Sequence, residues 1–352
     1  MPHANEKRLP VLNELLQDPL FARSAPGATL RAKPLGFIDI GARGGVHEVV
    51  EPLAGVTAVL GFEPDKAECE RLRTELAAGS PWAACEIEPW ALAAGDGEAS
   101  LFVLSSPVNS SLRPPNPDFI DRYKMTGFDQ VGRIPLQTAS LDKLLFGARS
   151  TEDYWGEFIK IDTQGTEFEI LEGAGRTLAE RTVAILSEVE FFEMYQGEKL
   201  FSEIEIFLRG HGFAFHGFDV HFRSRKLLDK HKAAGRERAF FADAVFFKDP
   251  LRGGRSRAPL SERGNHVLFS CALLLGYYDF ALQLALETWA TGEEAGRIES
   301  LVRNQAASVA SRAYRDALEL AERVRANPDL ANLEVGRFVD RRRYLSDYDD
   351  IE

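Results

Sequence analysis

Cysteine is scarce in this chain, with Cys69, Cys85 and Cys271 the only three among 352 residues. So few and so scattered, they exclude a disulfide framework or a zinc quartet, and all three are expected to be small buried hydrophobes. Long apolar runs are missing as well. The longest, Val267 to Tyr278, falls well short of the roughly 20 residues that a membrane helix needs. The N-terminal stretch MPHANEKRLPVLNELLQDPLF lacks the apolar core of a secretory signal, so a cytoplasmic location is expected. Positive charge is also in deficit. With 54 acidic against 42 basic residues the net charge is −12, which argues against a nucleic-acid partner, because phosphate binding depends on clustered Lys and Arg.

What the chain does have is material for a core, with 45% hydrophobic residues and 24 Phe. Its length exceeds that of the usual single domain. Three blocks are expected: a helical arm and linker over 1–34, an α/β unit over 35–249 and a small helical domain over 250–352. In the arm, only Val11 to Leu16 is periodic, and the stretch that follows, rich in Pro, Gly and Ala, reads as a loop.

Within 35–249 apolar runs alternate with amphipathic ones, the pattern of a largely parallel sheet. Strands are predicted at 36–40, 58–62, 85–93 (weaker), 100–104, 158–161, 183–189, 213–218 and 242–248, with helices at 65–78, 166–172 and 200–210. The last two strands have no long helix between them and read as an antiparallel pair at the sheet edge. The basic insertion 222–238 between them reads as a solvated hairpin loop. In the third block, 266–290 and 306–326 read as long helices. The first of these is apolar around most of its circumference, which fits burial between neighbours or a homo-oligomeric contact.

The most informative stretch is GFIDIGARGG, residues 36–45. A short apolar strand carries Asp39 to its end and passes into a turn in which Gly41 and Gly45 give the backbone freedom. A second apolar run ends in Glu63, followed by Pro64 and by Asp65 at a helix N-cap. A glycine loop after one strand and an acid at the tip of the next form the usual plan for an adenosine cofactor, the acid accepting hydrogen bonds from the ribose hydroxyls. The spacing is not G-x-G-x-x-G, which speaks against NAD. Asp39, Gly41, Ala42, Arg43, Gly45, Glu63 and Pro64 are therefore the first candidate cofactor residues.

The second constellation is FIKIDTQGTEFEILEGAG, residues 158–175. A buried strand brings Asp162 to the carboxyl edge of the sheet, where ligands bind in open α/β folds, and Gly165 permits a sharp turn. Lys160 shares the strand face of Asp162 and requires a carboxylate partner if buried. Glu167 sits in the first helical turn, where it either touches the site or caps free amides. The next strand, VAILSEVE, carries Glu188 and Glu190 on one side at its end. His47 and His216 are reserve titratable groups, read first as packing residues. The Pro- and Asn-rich segment 108–123 reads as a lid over the sheet edge, bringing Ser110 and Ser111 near the cofactor.

Together, FIDIGARGG with GFEPD, LDKLL, FIKIDTQGTEFEILEGA and ILSEVE resemble the FkbM-type S-adenosylmethionine-dependent methyltransferases over roughly 36–248. The resemblance implies an α/β, Rossmann-like class I methyltransferase fold with a mostly parallel seven-stranded sheet. It further implies S-adenosylmethionine as cofactor, bound by the candidates above together with Ser110 and Asp162. Methyl transfer to a hydroxyl of a sugar, glycan or related small molecule is implied as well, with no metal ligand set. Asp162 or Glu188 is then the candidate base. Two departures stand out: Arg43 replaces the family's usual Asn, and Gln164 replaces its usual Glu. Arg43 either grips an anion or points to solvent, and Gln164 keeps the shape but loses a charge. A noncatalytic binding protein that retains the fold is the alternative these departures leave open.

Overall fold

The computed structural model describes residues 11–341, apart from 150, 152–153, 226, 229–235 and 255–258. Among the described residues there are ten strands: β1 Leu35–Ile40, β2 Thr57–Phe62, β3 Ala84–Glu88, β4 Ala91–Leu92, β5 Gly97–Leu104, β6 Gln130–Ala139, β7 Phe158–Ile161, β8 Ala184–Glu190, β9 Ala214–Arg223 and β10 Arg238–Phe247. Seven of them build the expected sheet in the order β3-β2-β1-β7-β8-β10-β9. It is parallel from β3 to β8 and closes with the antiparallel β10 and β9.

The central strands are short and apolar because both of their faces are covered. Along β1, Leu35 and Phe37 enter one core while Ile38 and Ile40 enter the other. On the second face lie the helices Glu167–Glu172, Gly175–Glu180 and Phe201–Gly210, through Ile170, Leu178, Ile204 and Leu208. On the first face lie the N-terminal arm, through Leu15, Phe21 and Leu30, and the C-terminal helices, through Val267, Leu268, Cys271, Leu284 and Leu301. Phe247 of β10 stacks on Phe280 of the tail with ring centroids 5.5 Å apart, and burial of such a side chain is worth about 1.5–3 kcal/mol. His216 stands edge-on to both rings, so it is a packing residue.

Arg263 fastens the tail to the sheet. Its guanidinium grips Glu157 in bidentate fashion at 2.6 and 2.9 Å and donates to the carbonyls of Lys33 and Pro34, while Glu157 also accepts the Gly36 amide.

Several expectations need correction. The stretch read as a loop after the arm contains a helix, Ala25–Ala32, with Ser24 as its N-cap and a proline in its first turn, where the missing N–H costs nothing. The predicted strand 100–104 lies within β5 and leaves the main sheet. It pairs with the unpredicted β6 in a separate sheet of order β4-β6-β5. The run 85–93 divides into β3 and β4. The lid segment 108–123 is a loop only in its first part and ends in the helix Pro117–Tyr123. The helix expected over 266–290 is two helices, Glu262–Leu274 and Tyr278–Thr288, broken at Gly276, whose φ of +81° suits glycine. The helix expected over 306–326 begins at Gly292. Of the basic insertion 222–238, residues 226 and 229–235 lie outside the described ones. Among the described residues, Cys69, Cys85 and Cys271 are free, and Cys69 and Cys271 are fully buried. Among the described helices none is long and apolar enough to cross a membrane.

Candidate active site

The order of the sheet reverses at β1, which has β2 on one side and β7 on the other, and the loops leaving these strands at their carboxyl ends enclose a crevice. Gly41 opens the first loop with φ +84°, and a Cβ there would lie 1.9 Å from the carbonyl oxygen of Asp162. The absence of a side chain thus permits both the turn and the close approach of two loops. Gly45, at φ +126°, needs only the turn, since a Cβ there would meet nothing within 4 Å. Asp39 is wholly buried beneath this loop and accepts the His47 amide at 2.8 Å. Ala42 is buried as well and donates its amide to Phe62. Both shape the loop from behind.

At the end of β2, Glu63 is 3% exposed. It accepts the Asp65 amide at 2.7 Å and has the Arg43 guanidinium 3.7 Å away. Burial pushes its carboxyl above the ordinary range, against the pull of that amide and of Arg43. Arg43 also donates to Asp65 at 2.7 Å. It is therefore committed to two carboxylates and does not point freely to solvent. Asp65 caps the helix Lys66–Ala78 through the Ala67 and Glu68 amides.

At the end of β7, Lys160 is 7% exposed and stands 3.4 Å from Asp39 and 3.6 Å from Asp162, the carboxylate pairing that its burial demands. Burial works against its charge, but Asp39, Asp162 and Glu188 outweigh burial and hold the amine above its usual value. The Asp162 side chain is 40% exposed. Burial around it raises its carboxyl, but Lys160, Gln164 and Glu188 more than offset this and hold it below the usual range.

Gln164 adopts the left-handed conformation, with φ +61°, uncommon for a residue other than glycine. Its side-chain amide donates to Asp162 at 3.0 Å and to Glu188 at 2.7 Å. Its Oε1 lies 2.9 Å from the Tyr195 hydroxyl, and its backbone oxygen accepts the Ser111 hydroxyl at 2.6 Å. Glu188 is 8% exposed, and burial, reinforced by Asp162, Glu190, Glu167 and Asp243, drives its carboxyl well above the ordinary range. Glu167 accepts the Thr163 and Gly165 amides at 2.7 and 2.9 Å, so it holds the loop instead of lining the crevice.

The crevice encloses about 150 Å³ and is lined by Gly41, Arg43, Glu63, Pro64, Ser110 and Asp162 among the expected residues. Gln164, Thr163 and an apolar wall of Phe62, Leu92, Leu101 and Ile170 complete it. Asp39, Ala42, Gly45 and Glu188 are not on its lining, and Glu188 reaches it through Gln164. Ser110 also accepts the Leu104 amide at 3.1 Å, and Ser111 lines the crevice beside it.

A family description, the methyltransferase FkbM domain, matches residues 39–215, half of the chain. The chain belongs to the FkbM methyltransferase family. Three solved structures are similar at low identity. An FkbM methyltransferase from Methylobacillus flagellatus shares 13% identity over 61% of this chain and 43% of its own length, with a TM-score of 0.34. This chain thus spans less than half of that protein. Magnesium protoporphyrin IX methyltransferase from Synechocystis, solved with S-adenosylmethionine bound, shares 10% identity over 63% of this chain and 75% of its own, with a TM-score of 0.29. A putative tRNA (m1A22) methyltransferase from Streptococcus pneumoniae shares 11% over 78% and 97%, with a TM-score of 0.32. Curated proteins yield no match.

In this FkbM-family chain, sequence reasoning missed three residues. Tyr195 and Glu198 lie in the loop after β8, where no motif marks them. Glu198 accepts the Tyr195 amide at 3.0 Å, and burial pushes its carboxyl up to about 8. The third is Asp243, which lies beside Glu188 in the strand register. Register extends the carboxylates into a row on one sheet face, from Asp162 through Glu188 and Asp243 to Asp219.

Proposed function

We propose that the chain is an S-adenosylmethionine-dependent O-methyltransferase acting on a hydroxyl of a sugar, glycan or related small molecule. The observation that carries this reading is the position of Asp162. It is partly exposed in the crevice, held below the usual carboxylate range by Lys160 and Gln164, and on the same lining as Gly41 and Glu63. A carboxylate kept ionised beside a cofactor crevice suits removal of one proton from an alcohol.

In this reading the apolar wall of Phe62, Leu92 and Leu101 takes the adenine. Glu63 accepts the ribose hydroxyls, and the loop Gly41–Gly45 receives the amino-acid end of the cofactor. Bound S-adenosylmethionine supplies an activated methyl group on a positively charged sulfur. The protein aligns the acceptor oxygen with that methyl group and takes up its proton, contributions of several kcal/mol and of roughly 10²- to 10⁴-fold in rate respectively. The described crevice is smaller than the roughly 300–1,000 Å³ of ordinary ligand sites. Both departures from the family pattern have partners that keep the site charged and ordered, which favours an enzyme over a noncatalytic relative.

Calorimetry with S-adenosylmethionine on the full chain, followed by release of S-adenosylhomocysteine with a panel of sugar and glycan acceptors, tests the reading. Absence of cofactor binding would sink it. Binding without turnover on any hydroxyl acceptor would favour the noncatalytic alternative.

A further inference from the structure

Gln164 stands between two acids of the crevice, and its surroundings give it a role. Asp162 and Glu188 leave adjacent parallel strands at the same level, since Ile161 pairs with Ser187 one residue earlier on each. Two carboxyl groups at neighbouring positions repel when both are ionised. The amide that bridges them has two N–H groups, one for Asp162 and one for Glu188. The orientation of the amide follows from the network. The ionised Asp162 carboxylate only accepts, so the nitrogen faces it and also reaches Glu188 Oε2, while Oε1 lies near the Tyr195 hydroxyl, which has the Asn109 carbonyl oxygen as a second acceptor. An acid at 164 would place a third carboxyl between them.

The two acids are not equivalent. Asp162 opens to the crevice and stands beside Lys160, whereas Glu188 is almost fully enclosed. The groups facing Glu188 are Asp162 after β7, Glu190 on its own strand, Asp243 on β10, Glu167 on the following helix and the Tyr195 hydroxyl. Lys160 of β7 also faces it but is shared with Asp39 and Asp162. His47 faces Asp162 from the first loop, and Glu198 faces Glu190. Acids thus dominate around Glu188.

We propose that Gln164 is a positioning residue that apportions a single proton between the two acids, keeping Glu188 protonated and Asp162 ionised. The inference rests on the proposed O-methyl transfer for its consequence but not for its test. Glu188 Oε2 accepts from Gln164 while its remaining oxygen carries the proton, and the base is Asp162 alone. In the transfer, the acceptor oxygen forms a bond to the methyl carbon as the carbon–sulfur bond breaks. The sulfonium becomes a neutral thioether, and the acceptor's proton passes to Asp162. Glu188 keeps its own proton throughout and holds Asp162 in place by hydrogen bonding.

The test needs neither cofactor nor acceptor, so its failure is distinct from failure of the proposed activity. The full chain, labelled with carbon-13 at the Asp and Glu carboxyls, is titrated by NMR, with Glu188→Gln and Asp162→Asn assigning the two signals. The expected result is a Glu188 signal at its protonated position at neutral pH and an Asp162 signal at its ionised position. Gln164→Glu should leave the site holding one more proton at neutral pH. Gln164→Met, which removes both donors, should raise the Asp162 midpoint. Tyr195→Phe, which deletes the hydroxyl beside Gln164 Oε1 and leaves both amide donors in place, should shift the Asp162 midpoint in the same sense as Gln164→Met but less. A Glu188 signal that is ionised at neutral pH, or midpoints of both acids that ignore every Gln164 and Tyr195 substitution, would overturn the proposal.

Discussion

Replacing Gly41 by alanine isolates the closest approach between the two loops of the crevice. Gly41 and Gly44 have nearly the same φ, +84° and +87°, but a Cβ at 41 would lie 1.9 Å from the Asp162 carbonyl oxygen, while one at 44 would meet nothing within 4 Å. Both substitutions incur the left-handed penalty of about 1–2 kcal/mol. Only Gly41→Ala adds overpacking against backbone, typically about 1–3 kcal/mol. Gly44→Ala should therefore cost about 1–2 kcal/mol, and Gly41→Ala about 2–5 kcal/mol. The relief available to Gly41→Ala is displacement of the segment carrying Asp162, so cofactor affinity should fall along with stability, tenfold for each 1.4 kcal/mol not absorbed elsewhere. Urea unfolding and calorimetry with S-adenosylmethionine read the two quantities. Equal losses for the two variants would refute the reasoning, because the steric difference between the sites would then have no energetic counterpart.

Other perturbations probe the charges. Arg263→Ala leaves Glu157 enclosed without its cation and should cost about 3–5 kcal/mol at neutral pH, and less in mild acid; denaturation followed at both pH values checks this. Glu190 is wholly buried, and neither of its carboxylate oxygens has a hydrogen-bonding partner among the described residues. Burial, then Glu167, Glu198 and Asp162, hold its carboxyl well above the ordinary range. A raised folded-state value means that the native protein keeps a proton the unfolded chain gives up, so its contribution is full below the unfolded value and is lost as pH rises through the folded one. Glu190→Gln should thus gain stability over wild type progressively above about pH 5, and a gap in denaturation midpoints that stays constant with pH would contradict this. Arg43→Asn removes the cation nearest Glu63 and should raise its carboxyl further. Cofactor affinity should then begin to fail at a higher pH than in wild type as pH is lowered, with only about 0–1 kcal/mol lost from overall stability.

The sheet was legible where its strands are buried on both faces. FIDI, VLGF and FIKI are short, mainly apolar runs, interrupted only by Asp39, Gly61 and Lys160 and each followed by Gly or an acid, and each is where the sequence puts it. β6 was not legible, because QVGRIPLQTA contains Gly132 and Pro135 and is largely exposed along one small sheet. Neither hydrophobic period nor composition marks it. The helix Ala25–Ala32 was masked by Pro26 and Gly27, breakers in a helix interior but acceptable in a first turn behind a Ser24 cap. In the site, spacing identified Gly41, Glu63 and Asp162 because each ends a strand. It did not disclose that Gln164 joins Asp162 to Glu188, nor that Arg43 is bound to Glu63 and Asp65, because those contacts join segments set by strand order. Tyr195 and Glu198 were invisible for the same reason.

The shared core of arm and tail has a kinetic consequence. Thr29 meets His266 across 237 residues, and the Ala25 amide meets Glu294 across 269. One face of the sheet, with Phe37, Val59 and Phe158, is covered in part by the arm and completes its cover only after residues near Leu301 have been made. During synthesis, a hydrophobic surface already assembled behind the loops of the crevice must wait for the C-terminal helices to complete its cover. Long loops must close before any reward is collected, which slows folding and exposes the intermediate to aggregation. Removing the C-terminal helices should therefore lower soluble yield before it alters any chemistry at the opposite edge.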